Sequence, residues 1–105
     1  MTHWIIMPYI DNHAQTLPAV EDCLAQSVGE VKLLLIDNGS ERPLTFTDSR
    51  IWPWRFQPQL LSLAGLWNTA LQTVWNAGGT QALVVNNDLR LPRHLYQDLL
   101  EAQRL

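Results

Sequence analysis

Three short apolar runs, each broken off by turn-forming residues, restrict the possible folds of this chain more than any other feature. Residues 4–7 (Trp-Ile-Ile-Met) stop at Pro8, residues 31–36 run into Asp37-Asn38-Gly39-Ser40, and residues 82–85 run into Asn86-Asn87-Asp88. Such near-continuous runs, without polar alternation, are the pattern of short strands covered on both faces. Between the first two, Leu17, Val20, Leu24 and Val28 recur at helical spacing, with Cys23 beside them. Thr16 is placed to cap that helix, Pro18 suits its first turn, Glu21 and Asp22 favour the positive end of its dipole, and Gly29 stops it. A second helix is predicted over residues 62–76, with Leu63, Leu66, Trp67, Ala70, Leu71, Val74 and Trp75 as its apolar face and Gly78-Gly79 as its end. A third starts near Pro92 and carries Leu95, Leu99, Leu100 and Leu105. Residues 50–56 alternate Ile51, Trp52, Trp54 and Phe56 around Pro53, which places them in an edge strand, because proline cannot donate to an interior ladder.

Strands alternating with helices define an α/β fold with an open, mostly parallel, Rossmann-like sheet and helices on both faces. With 105 residues, 47% of them hydrophobic, the chain reads as one domain over residues 1–105. Its formal charge of −3 argues against a nucleic-acid partner, which calls for a basic face. There is no basic amphipathic stretch, and the first apolar run is far shorter than a signal sequence or a membrane span. A single cysteine, Cys23, in an apolar helical pattern reads as a small core residue and fits a reducing compartment. Together these features predict a soluble, cytoplasmic protein with no membrane insertion.

Ligands of open parallel sheets bind beyond the carboxyl ends of the strands. Polar residues collect at those ends: Tyr9, Asp11, Asn12 and His13 after the first strand, Asp37 to Ser40 after the second, Asn86 to Asp88 after the last. Asp, Asn, Gly and Ser are also ordinary turn formers, so each loop alone has a purely structural explanation. Three in succession point to a site.

The same residues carry a family resemblance. Ile5-Ile6-Met7-Pro8-Tyr9 with Asn12 and the helix through Cys23-Leu24 resembles the opening of family 2 glycosyltransferases of the GT-A type. Residues 33–40 (Leu-Leu-Leu-Ile-Asp-Asn-Gly-Ser) are similar to that family's second strand and its Asp-(Asp/Asn)-Gly-Ser loop, and Gly65 to Ala70, with Asn68, to its Gly-x-x-Asn-x-(Ala/Gly) helix. Leu83-Val84-Val85-Asn86-Asn87-Asp88 resembles the strand leading to Asp-x-Asp. The resemblance implies a sheet of order 3-2-1-4, with strands near 51–56, 31–36, 4–8 and 82–86. It also implies a nucleoside-diphosphate sugar as ligand, uridine type favoured, bound by Pro8, Tyr9, Asn12, Asp37, Asn38, Gly39 and Asn68. A Mg²⁺ or Mn²⁺ ion would be held by Asp88 and Asn86, hard oxygen ligands suited to those cations. The chain departs from the family in three ways: one extra residue separates Pro8 from Asn12, Asn86 replaces the first carboxylate of Asp-x-Asp, and no counterpart of the family's general base falls before Leu105. The expectation is therefore a donor-binding half of such an enzyme, a truncated GT-A fold, inactive alone.

A non-catalytic nucleotide-binding or interaction module of the same fold is the alternative. A phosphoacceptor receiver domain fits less well, since only Asp11 follows the first strand and no Asp follows the third. No glycine spacing for a phosphate-binding loop or a dinucleotide site is present. His3, His13 and His94 have no metal-ligand spacing, and Arg42, Arg50, Arg55, Arg90 and Arg93 read as solvated. Trp67 and Trp75 read as core, Trp52 and Trp54 as core or covered edge, and Asp98 and Glu101 as solvent-facing on the last helix. Residues 82–85, apolar and free of charge and proline, would form an exposed edge, so self-association through strand four or the last helix is expected.

Overall fold

Burial on both faces turns the first two apolar runs into the interior strands of a sheet. The computed structural model describes residues 2–55 and 62–103. In chain order these form β1 (Thr2–Tyr9), α1 (His13–Leu24), β2 (Glu30–Asp37), β3 (Ile51–Arg55), α2 (Leu63–Asn76), β4 (Ala82–Val84) and α3 (Leu95–Gln103). The sheet runs β3-β2-β1-β4 with every pair parallel, as anticipated. Phe56, expected in the third strand, lies outside the described residues. β4 is shorter than expected, although the Val85 N–H still donates to the Ile6 carbonyl at 2.9 Å.

The two faces of the sheet are covered by different helices. Ile5, Met7, Leu33 and Leu35 pack against Ala19, Val20 and Cys23 of α1 and Tyr96 of α3. Trp4, Ile6, Leu34 and Ile36 pack against Leu66, Ala70 and Val74 of α2. Side chains alternate between faces along each strand, so both parities of β1 and β2 had to be apolar, hence the absence of alternation in the sequence.

α1 departs from its expected placement by one turn. It starts at His13, with Asn12 as the N-cap residue, and ends at Leu24. Thr16 is therefore buried inside the helix, where its hydroxyl donates to the Asn12 carbonyl at 3.0 Å and accepts from the Asn87 carboxamide at 2.9 Å. Pro18 sits beyond the first turn; the Ala14 carbonyl that loses a partner to it is on an exposed residue, where water can serve. Glu21 and Asp22 fall in the last turn, at the unfavourable end of the dipole. Asp22 is compensated by a bidentate pair with Arg90 (2.7 and 3.1 Å) and by the Leu91 N–H at 2.9 Å, which together hold its carboxyl below the usual range. Because Arg90 is 71% exposed, solvent screens this pair and its contribution to stability is small. Leu17, expected on the apolar face, is exposed, and Val28 lies past the helix end, partly buried against the core.

α2 begins at Ser62, whose hydroxyl accepts from the Gly65 N–H at 3.2 Å. It ends in a Schellman motif: Gly78 N–H to the Trp75 carbonyl (3.0 Å), Gly79 N–H to the Val74 carbonyl (2.8 Å), with Gly78 at φ +88, a left-handed value that glycine alone adopts freely. Trp67 packs partly buried against this face, whereas Trp75, expected in the core, is 52% exposed. Trp52 and Trp54 are partly buried on the same side, and Trp52 meets Trp4 edge to face at 4.9 Å. α3 is fixed by Tyr96, whose hydroxyl donates to the Trp4 carbonyl at 3.0 Å, and by Gln26, which accepts from the Tyr96 N–H at 3.0 Å and donates to the Pro92 carbonyl at 2.7 Å. Leu100 is partly buried and Leu99 exposed, with Leu105 outside the described residues. No helix among the described residues is long and apolar enough to cross a membrane.

Burial pushes the Cys23 thiol up to about 12, with a smaller contribution from the neighbouring Asp22 charge. Its folded value exceeds the unfolded one, so this contribution to stability is present below pH of about 9 and is lost as the pH rises toward 12. Native protein at pH 8 should thus resist a thiol reagent such as dithionitrobenzoate and react with one equivalent only in denaturant. Rapid modification of the native chain would contradict the packing described for α1.

Candidate functional site

The carboxyl ends of β1 and β2 finish level, because the parallel register pairs Tyr9 with Asp37. The loops beyond them are stitched together by hydrogen bonds. The Asn38 N–H donates to the Tyr9 carbonyl (3.0 Å), the Asp11 N–H to the Ser40 hydroxyl (2.6 Å), and the Glu41 N–H to the Asp11 carboxylate (3.1 Å). The Tyr9 hydroxyl accepts from the Leu44 N–H at 3.0 Å. Asp11 and Asn12 both hold left-handed backbone (φ 46 and 60), a conformation that Asp and Asn tolerate better than other non-glycine residues. This local turn is what brings Asn12 to the helix start.

Asp37 is the buried charge at this edge, with a residue exposure of 2%. Its Oδ1 accepts from the Ser40 N–H at 2.8 Å and shapes the loop in which Gly39 takes φ +105. Its Oδ2 has no hydrogen-bond donor within reach. Arg55 Nε stands 3.7 Å away, close enough to balance the charge and too far to satisfy the lone pairs. Tyr9 lies beside this pair, and burial, followed by the nearby Asp37 charge, outweighs the Leu44 hydrogen bond to raise its phenol above the ordinary value. Tyr9 is therefore neutral across the physiological range.

Two hollows open at this edge, with Tyr9 in the wall of both. One, of about 310 Å³, is lined by Asp37, Leu44, Phe46, Trp54 and Arg55 among others. The other, of about 380 Å³, is lined by Pro8, Ile10, Asn12, Asn38, Leu66, Asn86 and Asn87. The sequence-predicted residues are thus divided. Pro8, Tyr9, Asn12, Asn38 and Asn86 share the second hollow, Asp37 faces the first, and Gly39 shapes the loop without lining either. Asn68 is exposed on α2 and lines, with Asn86, a separate groove beside β4. Asp88 is exposed just past the second hollow and lines none of the three.

Among the described residues no group of three or more His, Cys, Asp or Glu side chains is placed to hold a metal ion. Asp88 with Asn86 offers one carboxylate and one carboxamide. That donor set fits a cation only of the kind that takes most of its oxygens from water and ligand phosphates, as Mg²⁺ does with nucleotides. Arg90, two residues on, is engaged by Asp22 and not by Asp88.

Four residues contribute in ways the sequence does not show. Ser40 and Asp11, legible as turn formers and as polar residues at the strand ends, join the two loops to each other. Arg55 had been read as solvated, and its placement against Asp37 follows from the β2–β3 register, Asp37 opposite Arg55. Thr16, read as a cap, links α1 to the loop after β4. The chain matches no family model, and no curated protein matches it.

Replacing Asp37 by Ala removes the acceptor of the Ser40 N–H and leaves a buried donor unsatisfied, a loss of about 1–3 kcal/mol. Asp37→Asn, which keeps an acceptor at Oδ1, should cost less. Urea unfolding would show the order wild type, Asp37→Asn, Asp37→Ala in falling midpoint; equal midpoints for wild type and Asp37→Ala would show that the loop does not depend on this carboxylate.

Proposed function

We propose that this chain binds a nucleoside-diphosphate sugar, of uridine type, as the donor-binding part of a GT-A glycosyltransferase similar to family 2. The observation that carries the reading is the buried Oδ2 of Asp37, a charged acceptor without a donor at the carboxyl edge of a parallel sheet. Buried polar atoms are seldom left so, and an unfilled one on a residue that lines a hollow invites an N–H from a ligand. A flat ring with an imide N–H, such as uracil, suits an acceptor set among Phe46, Leu44 and Trp54. The neighbouring hollow supports the rest of the molecule: it adjoins the first across Tyr9, it presents the Asn12 and Asn86 carboxamides as neutral donors, and Asp88 follows its lining residue Asn87 in the chain.

In this reading Asp37 orients the base, Arg55, 3.7 Å away, holds the Asp37 carboxylate in place, and Asn12 and Asn86 donate to phosphate or sugar oxygens. Asp88 and Asn86 would hold the Mg²⁺ or Mn²⁺ ion. Such a cation neutralises charge that develops on a departing diphosphate. Asn86, uncharged where the resembled family carries a carboxylate, favours a second reading, a non-catalytic module that binds nucleotide without a metal.

Calorimetry with uridine diphosphate tests both. Binding in Mn²⁺ is expected, with Asp37→Asn weakening it at least tenfold and Asp88→Asn removing the metal dependence. Metal-independent binding that still needs Asp37 supports the second reading. Absence of binding at millimolar ligand, or binding indifferent to Asp37→Asn, overturns the proposal.

A further inference from the structure

Asn87 stands between the two residues assigned to the diphosphate and its cation, and its side chain is tied to the body of the domain. Asn86 and Asp88 are exposed, whereas the half-buried Asn87 carboxamide donates to the Thr16 hydroxyl at 2.9 Å. Thr16 has no measurable exposure and lines neither hollow at the polar edge. It cannot reach a bound ligand, so any influence it has on one passes through its hydrogen-bond partners.

The chemistry of the hydroxyl makes this contact directional. A threonine hydroxyl has one hydrogen and two lone pairs. The hydrogen goes to the Asn12 carbonyl at 3.0 Å, the usual back-bond of a helical threonine, with the Asp11 carbonyl farther off at 3.5 Å. A lone pair is left for Asn87, so Thr16 takes the N–H end of the carboxamide. Burial keeps bulk water from competing for either bond. The segment after β4 is also held at the Val85 N–H, by the Ile6 carbonyl, and at the Leu91 N–H, by the Asp22 carboxylate, each at 2.9 Å. Asn87 adds an anchor between those two, next to both Asn86 and Asp88. On its other side the network continues from Asp11, whose N–H donates to the Ser40 hydroxyl, to the Ser40 N–H, which donates to Asp37 at 2.8 Å. One connected set of hydrogen bonds and backbone thus joins the loop after β4 to the carboxylate after β2.

We propose that Thr16 is a positioning residue: through Asn87 and the Asn12 carbonyl it sets where the diphosphate end of the site, at Asn12, Asn86 and Asp88, stands relative to the base end at Asp37. This inference rests on the nucleotide reading above. Residues that orient ligand-binding groups from behind act on whatever those groups hold. A nucleoside engages the base end alone and is indifferent to the spacing of the two ends. A nucleoside diphosphate has to meet both ends at once and is sensitive to it.

Titration of the full chain with uridine and with uridine diphosphate in Mn²⁺, followed by calorimetry and NMR, tests it. Thr16→Val keeps the outline of the side chain and removes both of its hydrogen bonds. It should weaken uridine diphosphate about fivefold or more while leaving uridine within about twofold of wild type, and Thr16→Ser, which restores the hydroxyl, should recover the loss. Asn87→Ala cuts the same link without touching the core and should reproduce the Thr16→Val pattern; adding Thr16→Val to it should cost little more, since the two side chains share one interaction. If Thr16→Val and Asn87→Ala weaken both ligands equally, or neither, while Asp37→Asn still weakens both, this inference falls and the nucleotide reading stands. If Asp37→Asn affects neither ligand, or neither ligand binds, the nucleotide reading falls and this inference with it.

Discussion

The parallel ladder between β1 and β2 is the constraint on which the rest of the structure depends. It runs unbroken from Thr2 opposite Glu30 to Tyr9 opposite Asp37. Along it Ile5, Ile6, Met7, Leu33, Leu34 and Ile36 have no measurable exposure. Fully burying each such side chain contributes on the order of 1.5–3 kcal/mol, so the six together outweigh any single polar contact in the domain. Slipping the register by one residue would send every side chain to the other face and separate Tyr9 from Asp37. The same ladder that makes the core therefore sets the level at which the two polar loops begin.

The polar edge is arranged at a conformational cost. Two successive non-glycine residues, Asp11 and Asn12, hold left-handed backbone, each a cost of order 1–3 kcal/mol for a general residue and less for Asp and Asn. Hydrogen bonds from Asp11 to Ser40, from Glu41 to Asp11 and from Asn38 to Tyr9 hold this turn in place. Strain of this sort persists where the surroundings over-determine it, and here the reinforcement comes from the loop after β2. Asp37 belongs to the same arrangement through Ser40, so the carboxylate facing the hollow is also part of the frame. Shape and candidate chemistry are joined in one residue, and for that reason an Asn substitution is more informative than Ala at this position.

α1 illustrates how tertiary context displaces local signals. Thr16, Pro18, Glu21 and Asp22 form a plausible helix start when read locally. The left-handed turn at Asp11 and Asn12 starts the helix one turn earlier, and the capping residue becomes a buried link to Asn87 while the acidic pair moves to the wrong end of the dipole. Arg90 and the Leu91 N–H then compensate Asp22 from a segment almost seventy positions away in sequence. Trp75 fails as a core residue for a related reason: Leu66, Ala70 and Val74 form the buried stripe, and the next residue along turns outward.

The sequence by itself determined the fold class, the parallel direction of the strands and the edge at which polar residues gather. These follow from hydrophobic periodicity and from where each apolar run is cut by Asp, Asn or Pro, and both signals are local. It also marked Cys23 as core and placed Asp37 among the polar residues of that edge. Only the tertiary structure decided that Asp37 and Arg55 stand together, that Tyr9 divides two hollows, and that Asn68 and Asp88 lie outside both. Strand register, side-chain direction and the meeting of distant loops depend on contacts between residues dozens of positions apart, and no local pattern encodes those distances.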